Sequence, residues 1–355
     1  MTRLRELGIE IGRLPPGEHN AITDVAGVGV GQATLIADEP HVVRTGVTMV
    51  VPRRDEIWTD YAAASWFSFS GNGEMTGIPW IEESGLLGSA IGITNTHQVG
   101  LVRDWLVRHA VAKGTPDPFH LPVVAETFDG WLSDIDAFAL TAAEVERAMS
   151  NVSYAAVEEG NVGGGTGMIC HEFKGGIGSS SRVVDMAMHT YTVGVLVQAN
   201  YGARHDLRLE GVPIGRLLSY EEVPAPWPEE RSDGSIIIVI ATDAPLLSDQ
   251  CRRLAKRATV GLGRVGGTGH NGSGDIFLCF STGNHFPAGH RGPFQLHALP
   301  PDHLDGLFRA TIEATEEAIW NALCGAETLS GWRERTAHAI PHGRLASLWD
   351  EHRPG

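Results

Sequence analysis

Six consecutive apolar residues, Ile236-Ile237-Ile238-Val239-Ile240-Ala241, follow directly on Asp233-Gly234-Ser235. The run carries no polar interruption and is mostly β-branched, which marks a strand buried on both faces. Upstream lies PAPWPEERSDG, Pro224 to Gly234, rich in proline and charge and read as an exposed loop. A Gly–Ser bond between such a loop and a buried strand is a place where a self-cleaving precursor exposes a new N-terminal nucleophile. Asp-Gly is equally ordinary turn chemistry, and by itself the junction reads as a turn entering a strand. The remainder of the chain decides between the two.

The chain has 355 residues, 42% of them hydrophobic, enough to bury a large core. A net charge of −16 argues against a nucleic-acid phosphate partner, which needs a concentrated basic face. Lysine occurs only at Lys113, Lys174 and Lys256, so Schiff-base chemistry has few candidates. Cys170, Cys251, Cys279 and Cys324 are far apart and form no CxxC pair, which suits free thiols in a reducing compartment. The N-terminal stretch lacks the apolar segment of a signal peptide and no run reaches membrane-span length, so a cytoplasmic location without a membrane partner is expected.

Glycine, at 44 residues, is concentrated in short punctuated strands. Strands are expected over Val25 to Ile36, Gly46 to Val51, Ser89 to Thr94, Leu121 to Ala125 and Thr190 to Ala199. Thr96 is expected to cap a helix that carries Val99, Val102, Leu106 and Ala110 and ends at Gly114. Thr141 and Glu144 form a capping-box pattern opening a helix to Met149. Asp243 and Pro245 open another, and the last helix spans about Asp302 to Cys324. Glycine-rich loops run from Ser70 to Pro79, Gly160 to Arg182 and Gly261 to Asp275. The latter two contain GGTG tetrads (Gly164 to Gly167, Gly266 to Gly269) that read as close-approach loops, not a duplication. Without a βαβ rhythm, a repeat or a linker, the pattern predicts one α+β domain over residues 1–355, sheets packed together under outer helices.

No standard motif supplies the chemistry. The glycine loops lack a Walker lysine and a strand-to-helix GxGxxG, and GxSxG is absent, since Ser68-Phe69-Ser70-Gly71 does not fit. Cys170 and His171 are adjacent and in a strand would point to opposite faces. No HExxH occurs, and His285 with His290 around a Pro-Ala-Gly turn reads as surface rather than metal site. No cofactor is called for.

The ordered stretches NAITDVAGVGVGQATL, SGNGEMTG, ETFDGWLSDID, GNVGGGTGMICHEFKGGIGSSSR, VLVQANYG, GSIIIVIATDAPL and GRVGGTGHNGSGDIFLCFSTGN together resemble the family of the L-aminopeptidase D-Ala-esterase/amidase and the β-peptidyl aminopeptidases. The resemblance runs along nearly the whole chain. It implies an αββα sandwich like that of N-terminal-nucleophile hydrolases with a different strand order. It also implies a chain that cuts itself at Gly234–Ser235 into fragments 1–234 and 235–355, which stay together, typically in a homotetramer.

Carried over residue by residue, Ser235 matches the nucleophile and Asn200 the oxyanion-hole asparagine. Ser273 and Asp275 match a serine–carboxylate pair near the nucleophile, and Glu126 the carboxylate that receives the substrate's free amine. Phe128 stands where the family pattern has a tyrosine, and it cannot donate that hydrogen bond. The chemistry is coherent: a serine hydroxyl needs a base, and an N-terminal serine carries its own α-amine, of ordinary pKa about 7.7–8.0. The expected activity is release of small N-terminal residues from short peptides, amides or esters. The alternatives are an acyltransferase of the ornithine acetyltransferase type, whose nucleophile is threonine where serine stands here, and an unprocessed binding protein on the same fold.

Overall fold

The structure, a computed structural model, describes residues 2–54, 56–186, 189–227 and 234–353. In chain order the first strands are β1 (Gly29–Ala37), β2 (Val43–Val51), β3 (Asp60–Gly71), β4 (Leu86–Leu87), β5 (Ile91–Asn95) and β6 (Val123–Thr127). A short pair, β7 (Ile169–Cys170) and β8 (Phe173–Lys174), precedes β9 (Gly176–Met186), β10 (His189–Asn200), β11 (Ser235–Thr242) and β12 (Gly274–Pro287). The α-helices are α1 (Ile78–Ser84), α2 (Val99–Lys113), α3 (Ala142–Ser150), α4 (Ile214–Leu217), α5 (Ser248–Val265), α6 (Asp305–Cys324) and α7 (His342–His352).

The long strands form two sheets, ordered β1-β2-β5-β6 and β4-β3-β12-β11-β10-β9. The apolar run after Ser235 shows how they stack. Ile236, Ile238 and Ile240 share one core with Leu254 and Ala258 of α5 and Ala314 and Ala318 of α6. Ile237, Val239 and Ala241 share the other with Val47 and Met49 of β2 and Ile91 and Ile93 of β5. Period-two alternation thus sends successive residues of one strand to different cores, both dry, which is why no polar residue interrupts it. Helices α2 and α3 lie on the outside of the first sheet, and α5 and α6 on the outside of the second. The layers are helix, sheet, sheet, helix: the expected αββα sandwich.

Strand β11 lies antiparallel to β10 on one side and parallel to β12 on the other, while β12 continues antiparallel to β3. The two strands from beyond residue 234 are therefore inserted in mid-sheet, between strands from before it.

Several elements depart from the sequence expectation. Asn95, not Thr96, caps the turn before α2: its Oδ1 accepts from the His97 and Gln98 amides, both at 3.1 Å. Asp243 does not open α5 but accepts from the Thr192 amide at 2.7 Å, and the helix begins at Ser248. Gly261 to Val265, expected as loop, form the last turns of α5, and Gly266 ends it. Strand β3 had no clear signal. The Thr141–Glu144 capping box forms as expected. Of the loop at 224–234, residues 228–233, Asp233 among them, lie outside the described residues. Among the described residues no helix is long and apolar enough to cross a membrane.

A buried charge cluster ties the N-terminal segment to α6. Arg182, fully buried on β9, donates to Glu317 Oε2 at 2.6 Å, and Arg5 donates to Glu317 Oε1 at 2.7 Å. Burial alone would raise the Glu317 pKa, but Arg182 and Arg5 outweigh it and hold it low. Removing Glu317 leaves Arg182 charged and fully buried with a partner fewer. Glu317→Gln is expected to destabilise the protein by about 3–5 kcal/mol in urea unfolding. The wild-type increment is lost as pH falls through the depressed Glu317 pKa.

Candidate active site

Ladder register fixes the centre of the site. Ser235, first residue of β11, stands opposite Asn200, last residue of β10, and beside Gly274, first residue of β12. Three strand ends meet there. The Ser235 hydroxyl oxygen accepts from the Gly274 amide at 3.2 Å, and the same amide lies 3.2 Å from the Gly234 carbonyl oxygen. Gly234 is required by crowding: a Cβ there would sit 2.2 Å from the Asn200 carbonyl oxygen and 2.7 Å from Tyr201 Cα.

Asn200 is held at both ends of its carboxamide. Oδ1 accepts from the Ile169 amide at 2.8 Å, and Nδ2 donates to the Phe128 carbonyl at 3.0 Å. That fixes which end is the donor. An amide nitrogen has two hydrogens, so one is left for the cavity that Asn200 lines.

Ser273 and Asp275 flank Gly274. The Ser273 hydroxyl donates to Asp275 Oδ1 at 2.6 Å, and both side chains are buried. Burial pushes the Asp275 carboxyl up to about 6, against the hydrogen bonds from Ser273 and from the Ile236 amide.

The cavity, about 600 Å³, is lined by Ser235, Gly234, Asn200, Glu126 and Phe128, five of the seven residues singled out from sequence. Glu126, near the end of β6, is only 4% exposed. Its Oε1 accepts from the Glu74 amide at 3.0 Å, and its Oε2 accepts from the Thr96 hydroxyl. Burial raises its pKa; the two hydrogen bonds work the other way. The Thr96 and Glu74 contacts come from two loops. The first follows β5, and the second is the glycine loop after β3, stitched to the loop before β12 through Asn72 Nδ2 donating to the Gly272 carbonyl at 2.8 Å. At Gly73 an added Cβ would lie 3.1 Å from Gly274 Cα and 3.2 Å from Glu126 Oε1. One glycine thus separates the carboxylate from the strand end beside Ser235.

Phe128 is half exposed and packs its ring over Gly130, while its backbone carbonyl anchors Asn200. Sequence reasoning had no role for Trp131 and Trp227, which meet edge to face at 5.6 Å and form an aromatic wall of the cavity with Phe128. Their only sequence signal was aromatic residues close to, but outside, the quoted site positions.

The rejected motifs are accounted for. Cys170 is fully buried, with its thiol pushed upward by desolvation, and the His171 ring donates from Nδ1–H to the Ala203 carbonyl at 2.8 Å. Burial drives His171 down to about 4. His285 pairs with Asp60 and His290 packs on Phe294. Among the described residues no group of three or more His, Cys, Asp or Glu side chains is placed to hold a metal ion.

This geometry has close counterparts. Residues 20–337 match the model of peptidase family S58. The beta-peptidyl aminopeptidase BapA of Sphingosinicella microcystinivorans is 45% identical, over 99% of this chain and 92% of its own length. A Burkholderia sp. beta-aminopeptidase structure superposes with a TM-score of 0.93 at 46% identity, covering 99% of this chain and 100% of that one. The L-aminopeptidase D-Ala-esterase/amidase of Ochrobactrum anthropi, described as a prototype for the serine aminopeptidases and a new variant among the Ntn hydrolase fold, gives 0.90 at 40% identity, covering 98% of both chains. By family match, relatives and fold together, the chain belongs to peptidase family S58 and is a hydrolase of the aminopeptidase class.

Proposed function

We propose that the chain cleaves itself at Gly234–Ser235 and that Ser235, as the new N-terminus of fragment 235–355, is the nucleophile that releases small N-terminal residues from short peptides, amides or esters. The observation that carries this is the register of Asn200, Ser235 and Gly274, which brings a hydroxyl and an oriented carboxamide to one cavity, with the Gly274 N–H against the hydroxyl. In self-cleavage the Ser235 hydroxyl attacks the Gly234 carbonyl, whose oxygen lies against the Gly274 amide, and water opens the resulting ester. In turnover the freed α-amine takes the hydroxyl proton, the hydroxyl attacks the substrate carbonyl, and Asn200 donates to the oxyanion. Loss of one such donor costs about 2.7–4 kcal/mol of transition-state stabilisation.

The position of β11 and β12 in mid-sheet explains how both fragments would remain associated, since parting them breaks ladders to β10 and β3. Ser273 and Asp275 would support the nucleophile from behind. Glu126 would receive the substrate's ammonium, a buried carboxylate being a strong partner for a cation that leaves water with it. Phe128, Trp131 and Trp227 would bound the side-chain space. By the resemblance, the working form is a cytoplasmic homotetramer of processed protomers, and buried unpaired thiols suit such a compartment.

Ser235→Ala is expected to leave one inactive chain on a denaturing gel; two fragments from that variant would assign the cut to an outside protease. Glu126→Gln is expected to lower turnover of substrates with a free amine while leaving the cut intact, and equal wild-type activity on N-acetylated substrates contradicts the assignment. On the acid side, Asp275 takes up a proton below about pH 6 and becomes a weaker, uncharged acceptor for Ser273, while protonation of the α-amine removes the base. Activity therefore falls as pH falls. Asp275→Asn should lower activity and reshape that limb in kcat/KM–pH profiles, whereas an unaltered limb removes Asp275 from it.

A further inference from the structure

Lys174 is a buried charge that this chemistry does not use. Lys174, on β8, is fully buried, and its Nζ donates to three backbone carbonyls: Met168 at 2.7 Å, Gly175 at 2.7 Å and Gly165 at 3.3 Å. Among the described residues no carboxylate forms an ion pair with it. A dry ammonium held only by carbonyls is costly compared with an apolar side chain of the same length. Desolvation lowers its pKa to about 7. The titratable group acting on it is Cys170, whose own thiol is pushed up and stays protonated.

The bond to Met168 leads to the active site. The Met168 carbonyl and the Ile169 amide belong to one peptide unit. Its oxygen accepts from Lys174 and from the Gly175 amide, at 2.7 and 2.9 Å, so both acceptor positions are filled and the plane is fixed. Its N–H donates to Asn200 Oδ1 at 2.8 Å, and Asn200 lines the cavity beyond. Peptide and carboxamide are both polarisable along the O–C–N axis. A cation on the carbonyl end strengthens the N–H as donor, which in turn strengthens the Asn200 N–H groups, because linked hydrogen bonds reinforce one another in a low dielectric. The path runs from ammonium to peptide to carboxamide without a water or a mobile side chain.

We infer that Lys174 is a positioning residue for turnover: its buried ammonium, acting through the Met168–Ile169 peptide unit, orients and polarises Asn200 as the donor to the substrate's oxyanion. The role rests on Asn200 being that donor. It separates turnover from self-cleavage, because the Gly234 carbonyl has its own donor in the Gly274 amide.

The test is a double-mutant cycle on the processed enzyme. Lys174→Met, apolar and of similar length, is expected to keep the Gly234–Ser235 cut and KM while kcat falls about ten- to hundredfold, the worth of a hydrogen bond to a charged group. In an Asn200→Ala background the same change should cost little further, since two members of one relay do not add. Losses that multiply, or a kcat unchanged by Lys174→Met alone, overturn the relay. An Asn200→Ala enzyme with full kcat instead overturns the assignment of Asn200. Should Lys174→Met not fold, Lys174→Gln keeps a neutral donor there; full kcat in that variant shows that the charge is not needed. In wild-type protein labelled with ¹⁵N at the lysine side chains, three lysines give three Nζ signals. The slowly exchanging one is expected as ammonium wherever Lys174 supports turnover, with kcat falling as that signal passes to the neutral amine; full kcat with a neutral amine contradicts the inference.

Discussion

Everything at the active site hangs on one register: Asn200 opposite Ser235, and Ser235 beside Gly274. Shifting β11 by a single residue would exchange the two cores that its side chains enter, so the hydrophobic pattern locks the register. Eight buried residues, from Ser235 to Thr242, share that constraint. The position of one hydroxyl is thus set by the packing energy of an entire strand. The placement of that hydroxyl is inherited from the sheet, not from a loop.

Around this fixed point the donors and the charges are arranged differently. The donors, Gly274 N–H and the Asn200 carboxamide, are backbone or backbone-anchored and have almost no freedom. The carboxylates Glu126 and Asp275 are desolvated, each kept in place by hydrogen bonds that partly offset the upward pull of burial on its pKa. Preorganised donors need no reorganisation as charge develops on the reacting oxygen. Desolvated acids bind a cation or accept a hydrogen bond more strongly than they would in water. One buried lysine extends the same principle a layer further back.

Much of the scaffold was legible because it rests on local pattern. The uninterrupted apolar run gave β11, helical spacing gave α2, and the Thr141–Glu144 pair gave the start of α3. Errors fell where tertiary contacts decide. Thr96 and Asn95 are adjacent and both are capping residues, and only the Thr96 contact with Glu126 assigns them separate tasks. Asp243 looks like a helix cap but accepts from the Thr192 amide of β10. Strand β3, rich in alanine and serine, has weak strand propensity and is held by its ladder to β12. The candidate site residues came from family resemblance, not from spacing, and the fold brings five of the seven to one cavity. The Glu74 amide, Trp131, Trp227 and Lys174 converge from separate segments, and no local motif could bring them together.

The central claim is that Ser235, at the head of β11, does the chemistry of this cavity. Reaction of the active enzyme with a serine-acylating fluorophosphonate, followed by peptide mass mapping, tests it most directly. The account predicts a single adduct on the first residue of fragment 235–355, formed in step with loss of activity and blocked by substrate. Inactivation with the adduct on Ser273, or on any residue of fragment 1–234, would contradict it.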